Sequence, residues 1–170
     1  MALIIVRHTT PDVAPGTCYG ITDLDVTDAF LDEAEAVARA LPRFDQIVSS
    51  PLQRCRKLAA FLSDQTDRPF TLDDRFREMD FGAWENRQWS DIPREELNAW
   101  AADFLDAKPH GGENVRQLRD RTRAGLTDLR GVAGVTLVVA HAGIMKSALA
   151  VGDAAADFST DIAYGGFITL

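Results

Sequence analysis

Leu3-Ile4-Ile5-Val6-Arg7-His8-Thr9-Thr10-Pro11 is the stretch from which the rest of the chain can be read. An apolar, β-branched run that stops abruptly at an Arg-His pair predicts a buried strand carrying two polar groups to the rim of a sheet. Val135 to Ala140 repeats the pattern and also stops at a histidine, His141. Gln46-Ile47-Val48 reads as a second short buried strand ending at Ser49-Ser50, Phe70-Thr71-Leu72 as a third, and Phe167-Ile168-Thr169-Leu170 as a final edge strand.

Helical spacing separates these runs. Phe30, Leu31, Ala34, Val37, Ala38 and Leu41 form one amphipathic stripe, with Thr27 as its N-cap and Pro42 beyond its end. Pro51 opens a second helix, with Leu52, Cys55, Leu58, Ala59 and Leu62 inside and Arg56 and Lys57 pointing outward. Leu97, Trp100, Ala101 and Phe104 give a third helix, introduced by Ser90 and Pro93. Val115, Leu118, Thr122, Leu126 and Leu129 give another after Gly111-Gly112, and Gly143 to Val151 the last. Two long segments resist this reading: Pro11 to Thr27, rich in Pro, Gly and Asp, and Arg75 to Trp89, rich in charges and aromatics. Both are expected to be functional loops.

Strands alternating with helices predict a three-layer α/β/α sandwich with a mostly parallel central sheet, in one domain spanning 1–170. Ligands in such folds bind at the carboxyl ends of strands. Arg7-His8, Ser49-Ser50 and His141 all fall at such ends, so three strands are expected to deliver polar residues to one edge.

A chain of 170 residues with 46% hydrophobic and 26% charged residues can bury a core without staples. Its net charge of −8 argues against a nucleic-acid surface, and it requires any anionic substrate to meet a local cationic cluster. Cys18 and Cys55 stand in no metal-ligand spacing and are expected to be free thiols. The first apolar run is too short for a signal peptide or a membrane span, so a cytoplasmic, non-membrane protein is expected.

Two histidines at the ligand edge suit either metal ligation or nucleophilic and acid-base work. A metal-dependent hydrolase would draw oxygen ligands from Asp12, Asp23, Asp25 and Asp80, although no His-x-His or His-x-x-x-His pattern is present. The arginines favour a phosphate instead. Arg7 adjoins His8, and Arg54 lies in the first turn of a helix whose amino terminus itself favours an anion. Two planar guanidinium groups beside a histidine make a phosphate clamp.

Arg7-His8-Thr9, Ser49-Ser50-Pro51-Leu52-Gln53-Arg54, Arg77 to Glu85, Gly111-Gly112-Glu113 and Val139-Ala140-His141-Ala142-Gly143 resemble, in order, the motifs of the histidine phosphatase superfamily, the phosphoglycerate mutase-like proteins. Arg7 to Pro11 together with Cys18 to Leu24 is similar to the α-ribazole phosphatase-like branch, which acts in cobalamin nucleotide-loop assembly. The resemblance implies that His8 is a nucleophile forming a phosphohistidine, that Arg7, Arg54 and His141 hold the phosphoryl oxygens, and that Glu78 is the acid and then the base. It implies no cofactor and no metal. Thr9, Tyr19, Gly20, Thr22 and Ala142 are the expected substrate contacts, with Thr9 to Pro11 standing where many relatives carry Gly-Glu and a later Asn. His8 must be neutral to attack, and neighbouring cations disfavour its protonation.

The expected activity is hydrolysis of a small phosphomonoester by a monomer or homodimer, because a short chain leaves little room for the insertions that cover longer mutases. A broad-specificity phosphatase, a protein-phosphohistidine phosphatase and a mutase share the same chemistry. A non-catalytic phosphate-binding module is a further alternative. Tyr19, Phe81, Trp84 and Trp89 either form an aromatic rim or, as such residues more often do, anchor a loop to the core; Glu113 is a candidate for a helix amino end, and His110 for an exposed position.

Overall fold

Five strands and five helices make up the fold in the computed structural model, which describes residues 2–170. In chain order they are β1 (Leu3–Arg7), α1 (Phe30–Ala40), β2 (Gln46–Ser49), α2 (Gln53–Thr66), β3 (Phe70–Leu72), α3 (Arg94–Ala102), α4 (Val115–Arg130), β4 (Thr136–Ala140), α5 (Ala142–Leu149) and β5 (Phe167–Thr169). The sheet order is β3-β2-β4-β1-β5. The first four of these pair in parallel, and β5 closes the edge antiparallel to β1.

Alternation along the inner strands explains why they read as continuous apolar runs. Leu3, Ile5, Val138 and Ala140 pack on one face against Leu118, Leu126, Ile144 and Met145 of α4 and α5. Ile4, Val6, Leu137 and Val139 pack on the other against Ala34, Val37, Cys55, Leu58 and Leu62 of α1 and α2. Both faces are therefore covered, which is the three-layer arrangement, and neither face has room for a polar residue. Polar side chains are expelled to the strand ends.

Several boundaries differ from the expected ones for local reasons. Thr27 does not cap α1; its carbonyl and hydroxyl accept from Phe30 and Ala29 N–H, and the helix opens two residues later. Leu31 is 62% exposed, because it lies roughly 100° around the helix from Phe30 and falls off the stripe formed with Ala34 and Val37. The helix α2 starts at Gln53 rather than Pro51, since Leu52 stays extended to bury its side chain. Phe104 lies beyond the end of α3, and α5 ends at Leu149, leaving Val151 in solvent.

The long segment from Arg75 to Trp89 is built from short 3-10 turns and is pinned to α4. Phe76 is fully buried against Gly125, where an added Cβ would stand 2.8 Å from the ring. Arg121 of α4 donates to the carbonyls of Arg75, Arg77 and Glu78 and pairs with Glu113 at 2.7 Å. Glu113 thus serves as the counter-ion of that clamp rather than as a helix-end charge, and α4 is capped by Asn114 and Gln117 in a reciprocal box. Gly125→Ala is expected to destabilise the protein by about 1–3 kcal/mol in chemical denaturation, overriding the helix-propensity gain of an alanine.

Candidate active site

The parallel pairing of β1 and β4 sets Arg7 opposite Ala140, so the next residues, His8 and His141, leave the sheet side by side. Their ring centroids are 5.2 Å apart, and both side chains are buried. Adjacent β2 delivers Ser50, whose hydroxyl lies 2.8 Å from His141 Nε2. The next turn of chain brings Arg54, fully buried, with Nε 3.3 Å from His8 Nε2.

Hydrogen bonding assigns the His8 tautomer. Nδ1 lies 2.7 Å from the Thr9 carbonyl, which only accepts, so the proton sits on Nδ1 and the lone pair on Nε2 faces Arg54. Burial holds His8 well below the ordinary histidine range, with the Arg54 and Arg7 charges adding to the effect and the Thr9 hydrogen bond opposing it. Burial and the Arg54 charge do the same to His141. Both imidazoles therefore favour the neutral form among cations, and in His8 the lone pair of Nε2 meets only the Arg54 Nε–H, at 3.3 Å.

The cations are held without carboxylates. Arg54 donates Nη2 to the Gly20 carbonyl at 2.7 Å and Nη1 to the Thr22 carbonyl at 2.8 Å. The Arg7 guanidinium stacks 3.9 Å from the Tyr164 ring centroid and donates to the Ile162 carbonyl. Its buried Nε has no partner, and neither has the Thr9 hydroxyl. Unspent buried donors beside His8 suit an oxyanion.

Glu78 approaches from the loop that Arg121 fixes. Its carboxylate accepts from Gly143 N–H at 3.0 Å, at the amino end of α5, and from its neighbour Met79. A Cβ on Gly143 would lie 2.1 Å from Glu78 Oε1, so only glycine allows this approach. A cavity of about 810 Å³ opens onto Arg7, His8, Glu78, Tyr19 and Ala142, and continues along Phe81, Trp89, Trp100, Phe104 and Phe158.

The structure thus brings Arg7, His8 and Glu78 onto one cavity, with Arg54 and His141 buried directly against His8. Of the expected substrate contacts, Tyr19 and Ala142 line the cavity, and Thr9 lies buried beside His8. Gly20 and Thr22 instead turn their carbonyls to Arg54. Of the aromatic candidates, Trp84 is a core anchor rather than part of a rim: it is fully buried with Cys18 and Ile92, and its indole N–H donates to Glu96. His110 is 3% exposed, packed edge-on to Trp84 with centroids 4.8 Å apart, because Gly82 and Gly112 let the two loops close over it. Asp23, Asp25 and Asp80, which a metal-dependent reaction would need, are engaged by Gln53, Lys57 and Gly82 N–H. Cys18 and Cys55 are free thiols; burial pushes Cys55 up to about 12, so it packs as an apolar group.

Residues 3–158 match the family model described as the histidine phosphatase superfamily (branch 1). The chain belongs to that superfamily. Among curated histidine phosphatase relatives, it is 30% identical to a glucosyl-3-phosphoglycerate phosphatase of Mycolicibacterium vanbaalenii over 85% of this chain and 71% of the relative. It is 28% identical to an adenosylcobalamin/alpha-ribazole phosphatase of Salmonella typhimurium over 88% of this chain and 78% of the relative. The solved structure of a mycobacterial glucosyl-3-phosphoglycerate phosphatase superposes with a TM-score of 0.84 at 25% identity, covering 99% of this chain and 89% of that one. The histidine phosphatase reading and the expected α/β/α fold both stand, and the protein is a phosphatase. Among the described residues, no helix is long and apolar enough to cross a membrane.

The lowered histidine values have a measurable consequence. With its folded value depressed, His8 is expected to remain the neutral Nδ1–H tautomer at pH 6 in imidazole ¹⁵N spectra, and a titration centred at its ordinary value of 6.5 would contradict the site electrostatics. Because the unfolded chain binds these protons first, stability should fall as pH drops below 6.5, by about 1.4 kcal/mol per pH unit for each of the two histidines until its folded value is reached.

Proposed function

We propose that the chain hydrolyses phosphomonoesters through a covalent phosphohistidine on Nε2 of His8. The observation that carries this reading is the buried His8, with Nδ1 held by the Thr9 carbonyl, Nε2 turned to Arg54, and Arg7 and Arg54 paired with carbonyls rather than carboxylates. In the first step the Nε2 lone pair attacks phosphorus and the bond to the leaving oxygen breaks, with Glu78 donating the proton that oxygen needs. Arg7, Arg54 and His141 stabilise the charge on the phosphoryl oxygens. In the second step Glu78 takes a proton from water as that water attacks phosphorus, and the N–P electron pair returns to Nε2. Inorganic phosphate leaves and Glu78 is protonated again.

For the substrate, α-ribazole 5′-phosphate is the leading candidate. It is supported by the likeness of the Cys18–Leu24 loop and by the name of the Salmonella relative. The aromatic stretch of the cavity also suits a flat heterocyclic leaving group, since among the described residues Lys146 is the one charged residue lining it beyond Arg7 and Glu78. A carboxylate-bearing substrate such as glucosyl-3-phosphoglycerate would depend on that single lysine. Comparing kcat/KM for α-ribazole 5′-phosphate, glucosyl-3-phosphoglycerate and phosphoserine decides the substrate.

Two substitutions test the mechanism. His8→Ala should abolish turnover in a preparation free of other phosphatases. Glu78→Ala should slow alkyl phosphates by about a hundred- to ten-thousandfold and p-nitrophenyl phosphate much less, because that leaving group hardly needs a proton. Equal losses on both substrates would remove Glu78 from the acid role.

A further inference from the structure

We infer that Glu85 is a positioning residue for Arg54, acting through the backbone of residues 20–22; the inference rests on the reading above that Arg54 holds phosphate. The Glu85 carboxylate accepts four hydrogen bonds. Oε2 takes Gly20 N–H at 2.9 Å and the Thr22 hydroxyl at 2.7 Å, and Oε1 takes Ile21 N–H at 2.9 Å and Phe81 N–H at 3.1 Å. All of its acceptor capacity is thus directed at one turn of loop and at the start of its own turn.

The same loop holds Arg54 from the opposite side. The Gly20 carbonyl accepts from Arg54 Nη2, while the N–H of that same peptide group, on Ile21, donates to Glu85. One peptide dipole therefore lies head-to-tail between an anion and a cation. Thr22 repeats the arrangement, with its hydroxyl on Glu85 and its carbonyl on Arg54 Nη1. Each charge polarises the peptide in the sense that strengthens the other's hydrogen bond.

This relay solves a conflict at the phosphate site. A buried guanidinium needs acceptors, but a carboxylate in direct contact would cancel the charge that attracts phosphate and would repel the phosphate itself. With Glu85 one peptide away, Arg54 is fixed by two carbonyls. Three of its five N–H groups are committed, to those carbonyls and to His8 Nε2, and one on each terminal nitrogen stays free.

The loop has little freedom to adjust. A Cβ on Gly20 would stand 1.7 Å from the Met79 carbonyl, so the backbone at Gly20 is pressed against the residue next to Glu78. On its other side the loop is docked to the turn after Glu85, by Cys18 N–H to the Arg87 carbonyl and Asn86 N–H to the Cys18 carbonyl. Asn86 adopts a φ of 64°, a left-handed conformation that turns the chain immediately after Glu85.

The test compares Glu85→Gln, Glu85→Ala, Arg54→Ala and the Arg54→Ala/Glu85→Ala double variant. The readouts are kcat and KM on p-nitrophenyl phosphate and on an alkyl phosphate, competitive inhibition by inorganic phosphate, and thermal denaturation. Glu85→Ala should lower kcat/KM by about 10- to 100-fold, and by the same factor on both substrates, because it disturbs phosphate holding rather than leaving-group protonation. It should weaken inhibition by phosphate. Glu85→Gln, which keeps one accepting oxygen, should fall between wild type and Glu85→Ala, and it carries the test if the alanine variant does not fold. The double variant should be no worse than Arg54→Ala alone. Multiplying losses, or a Glu85→Ala effect confined to melting temperature, would overturn the relay while leaving the role of Arg54 intact. Wild-type activity in Arg54→Ala would instead overturn the reading of Arg54 itself, and the relay with it.

Discussion

The parallel hydrogen bonding of β1 with β4 is the constraint on which the site depends. Its register sets Arg7 against Ala140, and the backbone carries on past the sheet with His8 N–H donating to the Ala140 carbonyl. Because both strands are apolar on both faces, the first polar side chains can appear only where the strands end. Two histidines that are 133 positions apart in sequence therefore emerge together. A slip of one residue would turn Leu3 to Val6 inside out between the two cores as well as separating the imidazoles.

Around that pair the protein resolves an electrostatic problem with backbone rather than with acids. The chain carries a net charge of −8, yet the two arginines at the nucleophile touch carbonyls and an aromatic ring instead of carboxylates. Carbonyls satisfy a guanidinium without neutralising it. Surface acids are screened over about a Debye length, whereas the buried cations act at contact distance in a low dielectric. Burial first, and the same cations second, hold His8 below the ordinary histidine range, so the groups placed to attract phosphate also favour its neutral form. Glu78 is held against the amino end of α5, two residues beyond His141, where Gly143 leaves room for it.

Much of this was legible in the sequence because it obeyed periodicity. The strands ending at His8, Ser50 and His141 follow from continuous apolar runs, and α2 with Arg54 in its first turn from a period-3.6 stripe, so four residues of the site fall on one edge. The loop residues were legible only through family likeness or not at all. Glu78 sits in a segment of 3-10 turns whose anchors, Phe76 and Arg121, lie on different elements. The burial of His110 has no repeating signal in the sequence, because it packs with Trp84 in a small aromatic cluster built from loop residues, to which α3 adds Leu97 and Trp100. Gly20 and Thr22 were expected to touch substrate, yet they face Arg54, since the fate of a backbone carbonyl is decided by which distant segments the loop meets. The one faint signal for Gly143 was its place directly after the second histidine motif.

The central claim is that phosphate passes through Nε2 of His8, and it is tested most directly by trapping the intermediate. Phosphohistidine survives alkaline quenching, so a single turnover can be stopped at high pH and examined by ³¹P NMR and peptide mass spectrometry. One phosphoryl group is expected, on Nε2 of His8, because Nδ1 is committed to the Thr9 carbonyl. A phosphoryl group on Nδ1 or on His141, or turnover with no phosphoenzyme at any time point, would contradict that claim.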